Sequence, residues 1–162
     1  MKNVLKRILS LSFMIFSVII SLSGCKNIPK TDWEVKITGA VTSPITLSFE
    51  ELTELEQIDL IDVFMSKTYG EDEYRSFSGV PIENLMDLAG ASKDVVSITT
   101  YAADGYAIEI PLADLEGGIL AIKDGGEWII KKEPESGPLR LVFPKTPASS
   151  WVFQVIEIQV NK

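Results

Sequence analysis

A chain of 162 residues with 23 Asp and Glu against 15 Lys and Arg carries a formal net charge of −8. A surface so acidic repels phosphate backbones, which excludes nucleic-acid binding. With no histidine and a single cysteine, the chain also excludes Ser-His-Asp and Cys-His catalysis, zinc sites and haem ligation by histidine.

The N-terminal segment comes first. Lys2, Lys6 and Arg7 precede an apolar run over 8–22 interrupted only by serines, and the run ends in Leu22-Ser23-Gly24-Cys25. A positive start, a short apolar stretch and small residues before a processing point are the layout of an export signal. The ending resembles the lipobox of bacterial lipoproteins. That resemblance implies that Cys25 is lipidated and becomes the first residue of a protein held on the extracytoplasmic face of the cell membrane. The other reading is an uncleaved membrane helix, for which the run is short against the roughly 20 residues a span needs. All 23 carboxylates lie beyond Cys25, against twelve cations, a net charge of −11. Membrane attachment must then come from the lipid, since the protein surface gives no electrostatic help. Once acylated, Cys25 leaves no thiolate for attack, disulfide formation or soft-metal ligation. Carboxylate, lysine or tyrosine chemistry stays open.

Residues 26–33 read as a polar tether containing Pro29, and 34–162 as one domain. Val35 and Ile37 alternate in a strand over 34–38, and a brief strand follows over 45–47. Ser48 with Glu51 fits a capping box opening a short helix over 49–55. Residues 58–65 are apolar enough for a buried strand, and 69–75 read as an acidic loop. Ile82, Leu85, Met86 and Ala89 recur at helical spacing between Pro81 and Gly90. Strands over 95–101 and 106–110 flank Asp104-Gly105, and a second hairpin over 119–122 and 128–130 flanks Asp124-Gly125-Gly126. One helical turn fits 111–115. Strands over 139–143 and 155–160, separated by a loop over 144–150, close the domain. The pattern predicts one α+β domain, rich in β.

Several phrases together point to a family. They are Phe77-Ser78-Gly79-Val80-Pro81-Ile82-Glu83-Asn84-Leu85-Met86 with Ala89-Gly90, then Ala103-Asp104-Gly105-Tyr106, then Gly137-Pro138-Leu139-Arg140-Leu141-Val142-Phe143-Pro144 and a final strand from Trp151. Their order and spacing resemble the oxidoreductase molybdopterin-binding domain, the catalytic fold of sulfite oxidases and their relatives, over roughly residues 34–160. Catalytic members resemble one another in placing a cysteine thiolate on molybdenum, from the segment before the Gly-Val-Pro helix start. Here that segment, 62–68, holds no cysteine, and Ser66 or Thr68 stands about where the sulfur would be. A hydroxyl is a poor replacement because it is rarely ionised. The histidines such enzymes use around the pterin phosphate are absent too, and Arg140 is the one arginine of the domain in a matching motif, with Arg75 in the predicted loop.

Read on their own chemistry, most polar residues have a structural as well as a functional role open to them. Gly79 suits a sharp bend from strand to helix, and Gly105 the positive φ of a hairpin. Glu71-Asp72-Glu73 offers hard oxygen donors without the interleaved spacing of a calcium loop, so no metal site is expected there. Asp104 with Tyr106 orients a small ligand or serves the turn. Arg140 faces a cleft or pairs with a carboxylate. Trp33 and Trp128 suit the core, and Trp151 is the best candidate for an exposed aromatic contact.

The expectation is a lipid-anchored, non-catalytic binding or interaction module with a sulfite-oxidase-like fold and no cofactor. Its ligand cleft would be bordered by Ser66, Thr68, Asp104, Tyr106 and Arg140, and would take a small molecule or a protein partner. The alternatives are a molybdopterin-dependent oxidoreductase or its subunit, and a scaffold lipoprotein whose acidic face docks a basic partner in a membrane complex.

Overall fold

Nearest-neighbour alternation in the first strand sets the inner face of the fold. In the computed structural model, which describes residues 27–162, Val35 and Ile37 of β1 (Glu34–Gly39) are fully buried while their neighbours reach solvent. β1 pairs antiparallel with β2 (Ile45–Ser48) and parallel with the last strand, β11 (Val155–Asn161). β5 (Ser97–Ala102) and β6 (Ala107–Pro111) complete this first sheet in the order β2-β1-β11-β5-β6.

A second sheet runs β10-β9-β7-β4-β3, built from β3 (Ile58–Met65), β4 (Glu73–Pro81), β7 (Ile119–Asp124), β9 (Arg140–Val142) and β10 (Val152–Phe153), with β8 (Glu127–Trp128) added to β7. All its pairings are antiparallel. Gln154, at φ 49°, is the single residue between β10 and β11, so the chain changes sheets in one step there.

The helices are short. Ser48 caps α1 (Phe49–Glu54): its hydroxyl accepts the Glu51 N–H at 3.2 Å, and the Glu51 carboxylate accepts the Ser48 N–H at 2.8 Å. That is the expected capping box. α2 (Ile82–Leu88) buries Ile82, Leu85 and Met86 and stops at Gly90, whose φ is 67°. α3 (Ile129–Lys132) is a single turn that replaces most of the strand expected over 128–130, of which only Trp128 is extended, in β8. A 3₁₀ turn at Leu112–Asp114 stands where one helical turn was expected, and a second occupies Ala148–Ser150.

Other expectations need correction too. β3 is not buried: it is an edge strand with Ile58, Ile61 and Phe64 exposed, and its pairing with β4 slips at a bulge where Asp62 has φ 50°. Its apolar run misleads because an edge strand needs burial on one face only. The acidic stretch does not remain a loop, since β4 begins at Glu73. Trp151 is 2 % exposed, with its indole N–H donating to the Phe143 carbonyl at 3.1 Å. Gly79 lies inside β4 rather than at a bend; a Cβ there would stand 2.2 Å from the Leu120 carbonyl oxygen of β7, so the requirement is close backbone approach.

Ile28 and Trp33 of the expected tether pack against the core, and the Trp33 indole N–H donates to the Val155 carbonyl at 2.8 Å. The leader and Cys25 lie outside the described residues. Among the described residues no helix is long and apolar enough to cross a membrane.

Candidate functional site

Three neighbouring strands of the second sheet present charge at one place. β7 lies between β4 and β9, and carries Asp124 at its end. Arg75 on β4 shares the inward face of Phe77, two residues on, and Phe77 is the register partner of Asp124. Arg140 opens β9 opposite Ala121. Asp124 is therefore set beside both arginines, its side chain 3 % exposed.

Side-chain contacts follow that placement. Arg75 Nη2 donates to Asp124 Oδ2 and, at 2.5 Å, to Glu133 Oε1. Arg140 Nη2 donates to Glu133 Oε2, and its Nη1 lies 3.8 Å from Asp124 Oδ2. Lys132 Nζ reaches Asp124 Oδ1 at 3.1 Å, and the Ser136 hydroxyl donates to Glu133 Oε2 at 2.9 Å. Farther out, Glu73 accepts Lys67 Nζ at 2.9 Å and faces Arg75 Nη1 at 3.7 Å.

Aromatic rings line the arginines. The Arg75 and Arg140 guanidinium carbons each lie 5.7 Å from the Phe77 ring centroid, and that of Arg140 lies 4.2 Å from Phe153. Phe77 in turn meets Trp151 edge-on, centroids 5.6 Å apart. Arg140 and Asp124 are 1 % and 3 % exposed, while the Glu133 side chain keeps 30 % of its surface in solvent. Burial raises the Glu133 carboxyl, but the Arg140 charge, the Ser136 hydrogen bond and the Arg75 charge outweigh it and hold the group at about 2. Burial also pulls the Arg140 guanidinium below its ordinary value, against the upward pull of Glu133.

Arg140 is 1 % exposed, and its Nε and Nη1 have no hydrogen-bond acceptor among the described residues. Leaving a buried donor without a partner costs about 1–3 kcal/mol. Beside the network a cleft of ≈ 460 Å³ opens over Glu73, Tyr74, Arg75, Ser76, Asp124 and Lys132.

Of the residues expected to border a ligand cleft, Arg140 alone belongs to this cluster. Its carboxylate pairing is the structural role open to it from sequence. Asp104 is exposed and its carboxylate accepts the Tyr106 N–H at 2.9 Å, which is turn chemistry, with Gly105 at φ 88°. Tyr106 is 46 % exposed. Their hairpin approaches the arginines indirectly: Ala103 N–H donates to the Gln154 carbonyl at 3.0 Å, and Gln154 follows Phe153. The Ser66 carbonyl accepts the Ala148 N–H at 3.0 Å, so the segment after β3 is tied to the turn before Trp151. Thr68 is exposed. Asp72 accepts the Lys67 N–H at 2.8 Å and Glu73 its ammonium, so two of the three consecutive acids serve Lys67.

Sequence reasoning missed Arg75, Asp124 and Glu133. The alternation of Arg75, Phe77 and Gly79 along one strand face was the available signal for the first. Nothing local marks Glu133, which sits 58 residues from Arg75.

The fold and the family agree. The sequence profile of the oxidoreductase molybdopterin binding domain matches residues 23–162. An uncharacterized oxidoreductase, YuiH of Bacillus subtilis (strain 168), is 28% identical over 117 residues, which span 70% of this chain and 58% of that protein. The sulfane dehydrogenase SoxCD from Paracoccus pantotrophus superposes with a TM-score of 0.72 at 22% identity, over 85% of this chain and 40% of that one, a likeness of fold. The chain thus spans about half the length of the relatives it matches. On the span of that profile match, with the sulfite-oxidase-like sheets to support it, this chain belongs to the oxidoreductase molybdopterin binding domain family.

Proposed function

We propose that this protein is a lipid-anchored, extracytoplasmic binding module in which a molybdopterin-domain fold serves recognition rather than redox catalysis. The observation that carries the reading is the donor set. Between β3 and β4 the chain offers Ser66 and Thr68 where catalytic relatives would place a thiolate, and no cysteine follows Cys25 anywhere in the sequence. A neutral hydroxyl is a weak donor to a redox metal beside a thiolate.

The rest of the site agrees. Arg140, the one arginine in a motif that resembles the family's, pairs with Glu133 and lies 3.8 Å from Asp124, and Arg75 pairs with the same two carboxylates. No imidazole is available to add to them. The residues present do not fit molybdopterin.

Anchoring would keep the domain at the membrane. Trp33 enters the fold on the Val155 carbonyl, one residue past the sheet crossover at Gln154 that follows Phe153 over Arg140. Ile28 already packs against the core, so two residues, 26 and 27, lie between it and Cys25. A lipid on Cys25 would hold the domain close to the bilayer, where a small ligand or a membrane-bound partner would meet it.

The test is molybdenum and pterin analysis of the full chain purified from cofactor-producing cells. Protein without molybdenum is expected; stoichiometric molybdenum overturns the reading. The other reading is an oxidoreductase or oxidoreductase subunit with an unusual ligand set. It requires a pterin chromophore whose yield changes in Ser66→Ala. A scaffold role in a membrane complex rests on the net charge of −11 beyond Cys25 and requires salt-sensitive co-purification of a basic partner.

A further inference from the structure

β3 ends the second sheet, and an open row of N–H and C=O groups at a sheet edge invites another strand unless charge, a bulge or cover blunts it. Two of those protections are present: Asp59 and Asp62 are exposed on β3, and the bulge at Asp62 interrupts its ladder with β4. Cover is not, since among the described residues the backbone of Ile58–Met65 bonds to β4 alone. The side chains here are also apolar. Ile61 is 69 % exposed, Phe64 48 % and Tyr74 68 %. Alternation turns Val63 and Met65 into the core and Phe64 outward. Phe64 and Tyr74 are register partners across β3 and β4, with ring centroids 5.3 Å apart and planes at 51°. A solvated edge has no need of such large apolar groups, whereas an added strand would cover them.

Charge selects the occupant. No Lys or Arg stands between Lys36 and Lys67, and Glu54, Glu56, Asp59 and Asp62 are exposed along that stretch. Antiparallel pairing with β3 of a second copy, centred between Leu60 and Ile61, would set Asp59 opposite Asp62 and Asp62 opposite Asp59. Like charges directly opposite one another destabilise a ladder. A segment with cations at alternate positions meets the reverse situation. Its cations would pair with Asp59 and Asp62 and lie over the Phe64 and Tyr74 rings. Its apolar side chains, on the other face, would continue the inward row of Leu60, Val63 and Met65.

We infer that the free edge of β3 is a strand-addition site for an extended segment of a partner protein in which Lys or Arg alternates with apolar residues. Main-chain hydrogen bonds to the edge supply affinity, and the acidic, aromatic outer face supplies specificity. The inference goes beyond the proposed function, because it concerns a surface other than the arginine cluster and holds with or without molybdenum in the protein.

The experiment follows the fluorescence anisotropy of a labelled peptide of alternating Lys and Val as the full chain, in non-ionic detergent, is added. The peptide has eight residues, the length of β3. A second peptide of the same composition, with all its Lys before all its Val, is the comparison. Saturable binding at least about tenfold tighter for the alternating peptide, and weakened at least about tenfold by Asp59→Lys, is the expected result. Phe64→Ser should weaken it too, and serves alone if Asp59→Lys does not fold. Equal binding of the two peptides overturns the inference, because attraction to an acidic surface would then suffice. It is overturned equally by an alternating peptide that does not bind, or by a folded variant of either kind that binds as the wild type does. Dimers of the full chain that Phe64→Ser abolishes would give the edge to a second copy and sink the proposal.

Discussion

The guanidinium carbon of Arg140 lies 4.2 Å from the ring centroid of Phe153, its register partner on the adjacent strand β10. The ring is 37 % exposed and the arginine 1 %, so an aromatic plate separates a buried cation from solvent. Desolvation strengthens the attraction between a cation and a ring face, and also strengthens every ion pair beneath it. Phe153 thereby shields the Arg140 end of a cluster whose Glu133 and Lys132 side chains stay partly exposed.

Removing the plate tests this. Phe153→Ala should cost about 2 kcal/mol from lost ring contact and lost desolvation together. Urea unfolding measures it. Phe153→Leu, which keeps apolar cover without a π face, should recover part of the loss. Equal stability of all three proteins would show that the ring does not matter to the cluster.

The cluster also sets an acid limit. The Glu133 carboxyl is held at about 2 in the folded protein against an ordinary value of 4.5. A depressed carboxylate contributes stability that is fully present above the unfolded value and lost as pH falls through the folded one. Stability should therefore decline from about pH 4.5 toward pH 2, by roughly 1 kcal/mol once solvent screening of a partly exposed group is allowed for. Glu133→Gln should flatten that part of the curve, as urea midpoints at several pH values would show. An unchanged slope in the variant would assign the acid sensitivity to other carboxylates.

Much of the fold was legible in the sequence because its signals are local. The Ser48–Glu51 capping box, the α2 face of Ile82, Leu85 and Met86, and the Asp104-Gly105 turn each depend on residues a few positions apart. The family phrases fall on the same local features. β3 and Trp151 misled because burial depends on which strand ends up at an edge and what covers a loop. Those are properties of the assembled sheets, as is the site. Arg75 meets Asp124 across 49 residues and Glu133 across 58, a pairing that no local pattern encodes. Arg140 stood out from its motif, and its partners did not.

Gly79 gives a test of sheet packing free of charge. A Cβ at this position would lie 2.2 Å from the Leu120 carbonyl oxygen and 2.6 Å from Ala121 Cα, both backbone atoms of β7. Neither atom can turn aside as a flexible side chain would. Gly79→Ala should force β4 and β7 apart and cost about 3 kcal/mol or more. Gly105→Ala is the contrast: nothing lies within 4 Å of its added Cβ, and its cost comes from φ 88° alone, about 1 kcal/mol. Thermal melts that ranked Gly105→Ala as the worse substitution would contradict the close approach of the strands.

The two arginines should respond differently to the same substitution. Arg75→Met removes the Nη2 donor that Asp124 and Glu133 share, and leaves Asp124, 3 % exposed, with Lys132 and a distant Arg140 Nη1 at 3.8 Å. A buried carboxylate stripped of its main partner is strongly destabilising, about 3–5 kcal/mol. Arg140→Met withdraws one donor from Glu133, which keeps Arg75 and Ser136. It also deletes two nitrogens that are buried without acceptors, Nε and Nη1, and sets a flexible apolar chain against Phe77 and Phe153. Those gains offset much of the lost pairing, so the net cost should stay near 1 kcal/mol. Chemical denaturation of both variants settles the order. Were Arg140→Met the more damaging, the Arg140 donors would have to be satisfied in solution, and Arg140 rather than Arg75 would be the residue that neutralises Asp124.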